Sequence, residues 1–243
     1  MPAIPSLLAV HGHPDDESLL TGGVLARSGA AGARTGVVTA TWAPDTGRAA
    51  ELAEALRILG AGPPRLLGYA DARVPESAPG ARRWCDVPLD EAVGRLVAHL
   101  RAFRPDVVVA PDAYGGLSGH PDHVQTHRVT VLAVRAAALP GLYPEAGEPW
   151  GPSALYLATH PHSSLSSVAA RLVRPGRPAF TVPDEAVAAT VDVTPWLDRK
   201  VAAILAHCSE VVRGALPGRL AALSAAARAE LLGTEWYLRD QQL

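Results

Sequence analysis

Two short stretches concentrate groups that bind metal ions and move protons. The first is His11-Gly12-His13-Pro14-Asp15-Asp16-Glu17 and the second is Gly119-His120-Pro121-Asp122-His123. Each follows a short apolar run, Ile4 to Val10 and Val107 to Ala110. A buried strand that ends in imidazoles and carboxylates delivers them to the rim of a sheet, where ligands bind in open α/β folds. A catalytic zinc ion takes about three nitrogen or oxygen ligands and keeps one position open. His13 and Asp16 are spaced to bind one ion from a single turn, and His120 and His123 offer imidazole at the same spacing. His13, Asp16 and one distant histidine make a two-histidine, one-carboxylate set, which suits Zn²⁺ and leaves Fe²⁺ and Mn²⁺ open. Neither cysteine, Cys85 or Cys208, falls in the clusters, so a closed structural zinc site is not expected. Asp15 is a spare carboxylate, suited to take a proton from water. Whichever of His120 and His123 is not a ligand can stabilise an oxyanion or assist the leaving group. This is equipment for hydrolysing an amide or ester.

Alternating strand and helix patterns position these groups. Strands are expected near Leu7 to Val10, Thr35 to Thr41, Arg65 to Tyr69, Asp106 to Ala110 and Ala154 to Ala158, with a last one near Thr190 to Val193. Helices are expected near Ser18 to Ser28, Gly47 to Leu59 (stopped by Gly60), Leu89 to Phe103 and Asp122 to Ala138. Two further helices, Pro195 to Val212 and Pro217 to Leu232, close the chain. The pattern predicts an α/β, Rossmann-like fold: a mostly parallel sheet with helices on both faces, plus C-terminal helices. In the doubly wound order the first and fourth strands are neighbours where the winding reverses. Both clusters would therefore meet there. Gly22 and Gly23 come too late for a GxGxxG loop, so a dinucleotide fingerprint is missing.

Bulk properties narrow the classes. The chain has 243 residues, 48% of them hydrophobic, with no composition break, which favours one domain over 1–243. A net charge of -2 argues against general nucleic-acid binding. The N-terminus lacks a basic region and a long apolar stretch, so a cytoplasmic chain without membrane insertion is expected. Two isolated cysteines fit free thiols. The C-terminal helices could mediate a homo-oligomer or simply cover the sheet.

His13-Pro14-Asp15-Asp16-Glu17 and Gly119-His120-Pro121-Asp122-His123 resemble the PIG-L/LmbE-like zinc-dependent N-deacetylases, which include N-acetylglucosaminyl and mycothiol-pathway enzymes. Arg48-x-x-Glu51 with Ala55 and Leu59-Gly60, Asp71 past the third strand, and Lys200-x-x-Ala203 with His207-x-Ser209 extend the resemblance along most of the chain. It implies His13, Asp16 and His123 as zinc ligands and Asp15 as general base. His120 would stabilise the oxyanion or act as acid, and Asp122 would orient or tune a histidine. Arg48, Asp71 and His207 would serve the substrate side, and an N-acylated amino sugar or its conjugate would be the small-molecule substrate. There are departures: Ser118 stands where some members carry tyrosine, Glu210 where glutamine is usual, and the segment from Trp42 to Gly47 lacks the usual Gly-Glu pair. Substrate choice is expected to reside in the loops Trp42 to Gly47, Asp71 to Pro88 and His160 to Pro183.

Other readings remain in view. The enzyme could be an amidase that cleaves a larger amide in a thiol or sugar conjugate. A different class is a non-catalytic sugar- or nucleotide-binding module. His11 and Glu17 read as support for the turn, and His99 and His127 as helix-surface histidines. His160 and His162 are at the right end of the sheet to line a pocket. Arg82-Arg83-Trp84 reads as a solvated loop, and Trp236 and Tyr237 as residues packing the C-terminal helix.

Overall fold

The computed structural model describes residues 4–165 and 179–241. Its strands are β1 (Leu7–His11), β2 (Thr35–Thr41), β3 (Arg65–Tyr69), β4 (Val107–Pro111), β5 (Ala154–Thr159), β6 (Ala189–Asp192) and β7 (Thr234–Arg239). They form one seven-stranded sheet in the order β3-β2-β1-β4-β5-β7-β6. The first five are mutually parallel, whereas β7 runs antiparallel to both β5 and β6. β1 and β4 are adjacent, with Leu7 opposite Val107 and Ala9 opposite Val109. The winding reverses between them.

The helices are α1 (Asp16–Ala30), α2 (Gly47–Leu59), α3 (Leu89–Phe103), α4 (Pro121–Ala137), α5 (Leu197–Ala206), α6 (Cys208–Val212), α7 (Leu216–Ala221) and α8 (Ala225–Leu232). Alternation along β1 divides the core. Leu8 and Val10 pack with Val93, Leu96 and Val129 of α3 and α4. Leu7 and Ala9 pack with Leu25, Leu52 and Leu56 of α1 and α2. Both faces are thus covered, which is why the strands read as unbroken apolar runs. Fully burying each such Leu or Val stabilises the fold by about 1.5–3 kcal/mol. Thr46 caps α2 by accepting the Ala49 N–H, and Gly60 ends it at φ 75°. No helix among the described residues is long and apolar enough to cross a membrane.

The C-terminal third departs from expectation. The helix expected over Pro195 to Val212 breaks at His207, whose ψ of 64° is not helical. The helix expected over Pro217 to Leu232 divides before Ser224, which caps α8 by accepting the Ala227 N–H. Trp236 and Tyr237, expected to pack the C-terminal helix, lie on β7 and pair with Thr159 and Ala158 of β5, and Tyr237 also packs with Ala203 of α5. The strand was hidden because Glu235 occupies one of its buried positions. That carboxylate is matched by Lys200 Nζ at 2.7 Å and by the Tyr237 hydroxyl at 2.8 Å. The Arg82-Arg83-Trp84 reading also needs correction. Trp84 is buried, donates to Thr126 Oγ1 and lies against Tyr69, while only the two arginines are exposed.

Candidate metal centre

β1 ends at His11, and Gly12 to Asp15 turn the chain into α1. Gly12 lets the turn approach α4: a Cβ there would stand 2.9 Å from His123 Cδ2. Asp15 has φ 125°, a conformation that side-chain-bearing residues seldom adopt. On the neighbouring strand, β4 leads through a loop to α4, and His120 is the N-cap residue whose Nδ1 accepts the Asp122 N–H.

Three donor atoms converge from these two turns. His13 Nδ1 is 3.0 Å from His123 Nε2 and 3.3 Å from Asp16 Oδ2. His123 Nε2 is 3.0 Å from the same Asp16 oxygen. Ligands about 2.0–2.1 Å from a tetrahedral zinc stand roughly 3.3 Å apart, so the spacing of these donors is compatible with one small divalent cation. The far side of each ring sets which nitrogen presents its lone pair. His123 Nδ1 faces the Gly115 carbonyl at 3.2 Å, and His13 Nε2 faces Asp122 Oδ2 at 3.1 Å and Asp71 Oδ2 at 3.3 Å. Each of those partners accepts, so in the neutral ring the proton sits on that outer nitrogen and the inward nitrogen presents its lone pair to a cation.

His120 also comes within 4.8 Å of His13 and His123, and a second group joins His13 and His120 to Asp71 and Asp122. The triangle with Asp16 is the tighter set. In the second group each carboxylate accepts two backbone N–H bonds, against the one from His13 that Asp16 Oδ2 accepts. Asp122 accepts N–H bonds from Ala72 and Cys85, and Asp71 accepts those of Arg73 and Val74. Asp122 is fully buried, so it ties two loops to the His13 ring.

His13 lies among three carboxylates. Burial disfavours charge on His13, but hydrogen bonds to Asp122 and Asp16 outweigh it and raise the imidazole to about 10. Burial opposes ionisation of Asp16, yet the His123 and His13 rings hold it well below the usual carboxylate range. A field that holds a proton on His13 attracts a metal cation in the same way. Asp15 behaves differently. Burial and then the Asp16 charge push it up to about 7, against Arg48, His207 and His13. Burial and the neighbouring His13 and His123 charges push His120 down to about 3. With Nδ1 accepting from the backbone, a neutral His120 carries its proton on Nε2.

The centre lies in a cavity of about 1090 Å³ whose wall includes His13, Asp15, Asp16, Arg48, His120 and His123. Asp71, Ser118 and His160 also line it, whereas His162 is exposed and bonds to Thr181. His127 bonds to the Pro111 carbonyl, away from the triangle. Arg48 is buried: it contacts Asp15 at 3.4 Å, Glu210 at 2.7 Å, the Pro14 carbonyl and the face of Trp42. His207, expected on the substrate side, has no exposed surface and bonds to Glu17 Oε1 at 2.8 Å. The substrate-side reading is corrected there, because the ring turns inward onto α1 and does not line the cavity. Sequence reasoning missed the Arg48–Glu210–Arg213 chain, although the carboxylate at 210 in place of glutamine was its signal. Of the expected specificity loop His160 to Pro183, residues 166–178 lie outside the described residues.

Known proteins resemble this chain along most of its length. The GlcNAc-PI de-N-acetylase (PIG-L) family matches residues 8–134. A 1D-myo-inositol 2-acetamido-2-deoxy-alpha-D-glucopyranoside deacetylase from Mycolicibacterium smegmatis is 38% identical over 267 residues, covering 96% of this chain and 89% of that protein. The protein of the same name from Rhodococcus jostii is 40% identical over 240 residues, covering 84% and 81%. Among solved structures, the conserved protein TT1542 from Thermus thermophilus superposes with a TM-score of 0.65 at 31% identity, covering 98% of this chain and 95% of that one. The chain belongs to the PIG-L, GlcNAc-PI de-N-acetylase family.

Proposed function

We propose that the chain is a zinc-dependent hydrolase that removes the N-acetyl group from an amino-sugar conjugate. 1D-myo-inositol 2-acetamido-2-deoxy-α-D-glucopyranoside is the first substrate to test, because it is the compound named for the relatives. The observation that carries the reading is the His13–Asp16–His123 triangle with a second carboxylate, Asp15, one residue away. His13, Asp16 and His123 would hold the ion. When bound, the ion supplies Lewis acidity toward the amide carbonyl and water.

The remaining steps belong to the chain's own groups. Asp15, with its carboxyl near neutrality, takes a proton from water as the water oxygen bonds to the amide carbon. His120 Nε2–H donates toward the carbonyl oxygen as charge develops there. The C–N bond then breaks, the abstracted proton passes to the amine, and acetate and a free amino sugar leave. Asp122 and Asp71 hold the His13 ring in orientation throughout. Arg48 fixes the Asp15 carboxylate and the Pro14 carbonyl from the cavity wall.

The test is acetate and amine release from that substrate, with bound metal measured in parallel. About one zinc per chain and turnover lost on chelation are expected. Full activity with no bound metal would end the reading. Asp15→Asn should retain metal while kcat falls about 10²–10⁴-fold.

A further inference from the structure

Behind the turn that carries Asp15 lies a pair of buried ionisable groups, neither of which lines the cavity. His207, at the break between α5 and α6, places Nε2 2.8 Å from Glu17 Oε1. Both side chains are fully buried. Ser18 Oγ donates to the same Glu17 oxygen at 2.6 Å, and the other oxygen, Oε2, accepts the Asp15 backbone N–H at 3.0 Å. The second ring nitrogen of His207 meets no partner among the described residues, so Glu17 is the ring's one anchor there.

This arrangement has a specific consequence for Asp15. Its φ of 125° is costly and persists only when the surroundings over-determine it. The Asp15 side chain makes no capping bond to α1; its carboxylate meets Arg48, its carbonyl accepts the Ser18 and Leu19 N–H groups, and its own N–H is held by Glu17. We propose that His207 and Glu17 are a positioning pair: His207 fixes the Glu17 carboxylate, which grips the Asp15 N–H and keeps the strained turn aimed at the reacting centre. Neither residue touches substrate. The charges support the geometry: burial opposes charge on the His207 ring, yet the Glu17 carboxylate raises the imidazole above its ordinary value.

The proposal rests on Asp15 acting as base in the proposed reaction, so its test carries one readout that needs no activity. His207→Leu keeps the volume and removes the donor, while His207→Gln keeps an N–H near the Nε2 position. In His207→Leu, kcat should fall about 10²-fold, with bound zinc unchanged and KM within about twofold, because a misaimed base harms the step and not the binding. His207→Gln should recover most of kcat. By NMR, the Asp15 amide should exchange with solvent at least about tenfold faster in His207→Leu and return in His207→Gln. Unchanged exchange and unchanged kcat in a folded His207→Leu would overturn the proposal. So would a fall in kcat accompanied by loss of zinc and a raised KM, since the pair would then support the site as a whole. If the wild-type chain releases no acetate, the deacetylase reading fails, and the exchange rates still decide whether the pair holds the turn.

Discussion

At the scale of single residues, the site is a set of neighbours made to behave differently by their surroundings. Asp15 and Asp16 are adjacent, yet burial and the Asp16 charge push Asp15 up to about 7 while imidazoles hold Asp16 far down. Removing His123 breaks the triangle, so His123→Ala should lose the metal; elemental analysis after dialysis checks it, and retained zinc would exclude His123 as a ligand. His160 gives a separate pH prediction. Burial, with help from Lys200, lowers its imidazole from 6.5 to about 4, so folding favours the neutral ring. Between those values the unfolded chain takes a proton that the folded chain refuses, and stability therefore falls as pH drops through that window. His160→Gln should flatten the dependence of Tm on pH there in calorimetry, and parallel curves would reject it. The residue types were legible in the sequence. Which nitrogen of each histidine faces inward was not, because that depends on Gly115, Asp71 and Asp122 standing behind the rings.

Elements place these residues by close backbone approach. Gly12 is where the β1–α1 turn meets α4, and an added Cβ would press on His123 Cδ2 at 2.9 Å and reach Asp16 Oδ2 at 3.4 Å. Gly12→Ala should weaken zinc binding, read by titration calorimetry, more than it lowers Tm. Gly23 is the matching contact in α1: its Cβ would stand 2.3 Å from Val193 Cβ. Gly23→Ala should cost about 1–3 kcal/mol in denaturant unfolding, as overpacking does. The cost should shrink in a Val193→Ala background, and an unchanged cost would show that the two sites do not couple. The five parallel strands and the first four helices were readable because each is a local pattern of apolar spacing and stop signals. β7 was not, because Glu235 interrupts its alternation, and the groups that make that position tolerable, Lys200 and the Gly23 and Val24 N–H groups, are distant in sequence.

At the scale of the whole molecule, the C-terminal third locks onto the first helix. Glu235 accepts the Gly23 and Val24 N–H groups and pairs with Lys200, all in the interior. Lys200→Met leaves that carboxylate buried without its cation and should cost about 3–5 kcal/mol of unfolding free energy. Short-range spacing and the rules of winding were enough for the alternation of strand and helix, the two acidic-histidine turns and their meeting between β1 and β4. Other outcomes came only with the folded chain. Folding turned His207 away from the cavity and onto Glu17, across 190 residues of chain. It bound Arg48 to Glu210 and made β7 an interior strand of the sheet, between β5 and β6. Those outcomes depend on side chains distant in sequence satisfying one another's charge in a buried interior, where an unpaired ion is costly, and local spacing holds no record of such a partner.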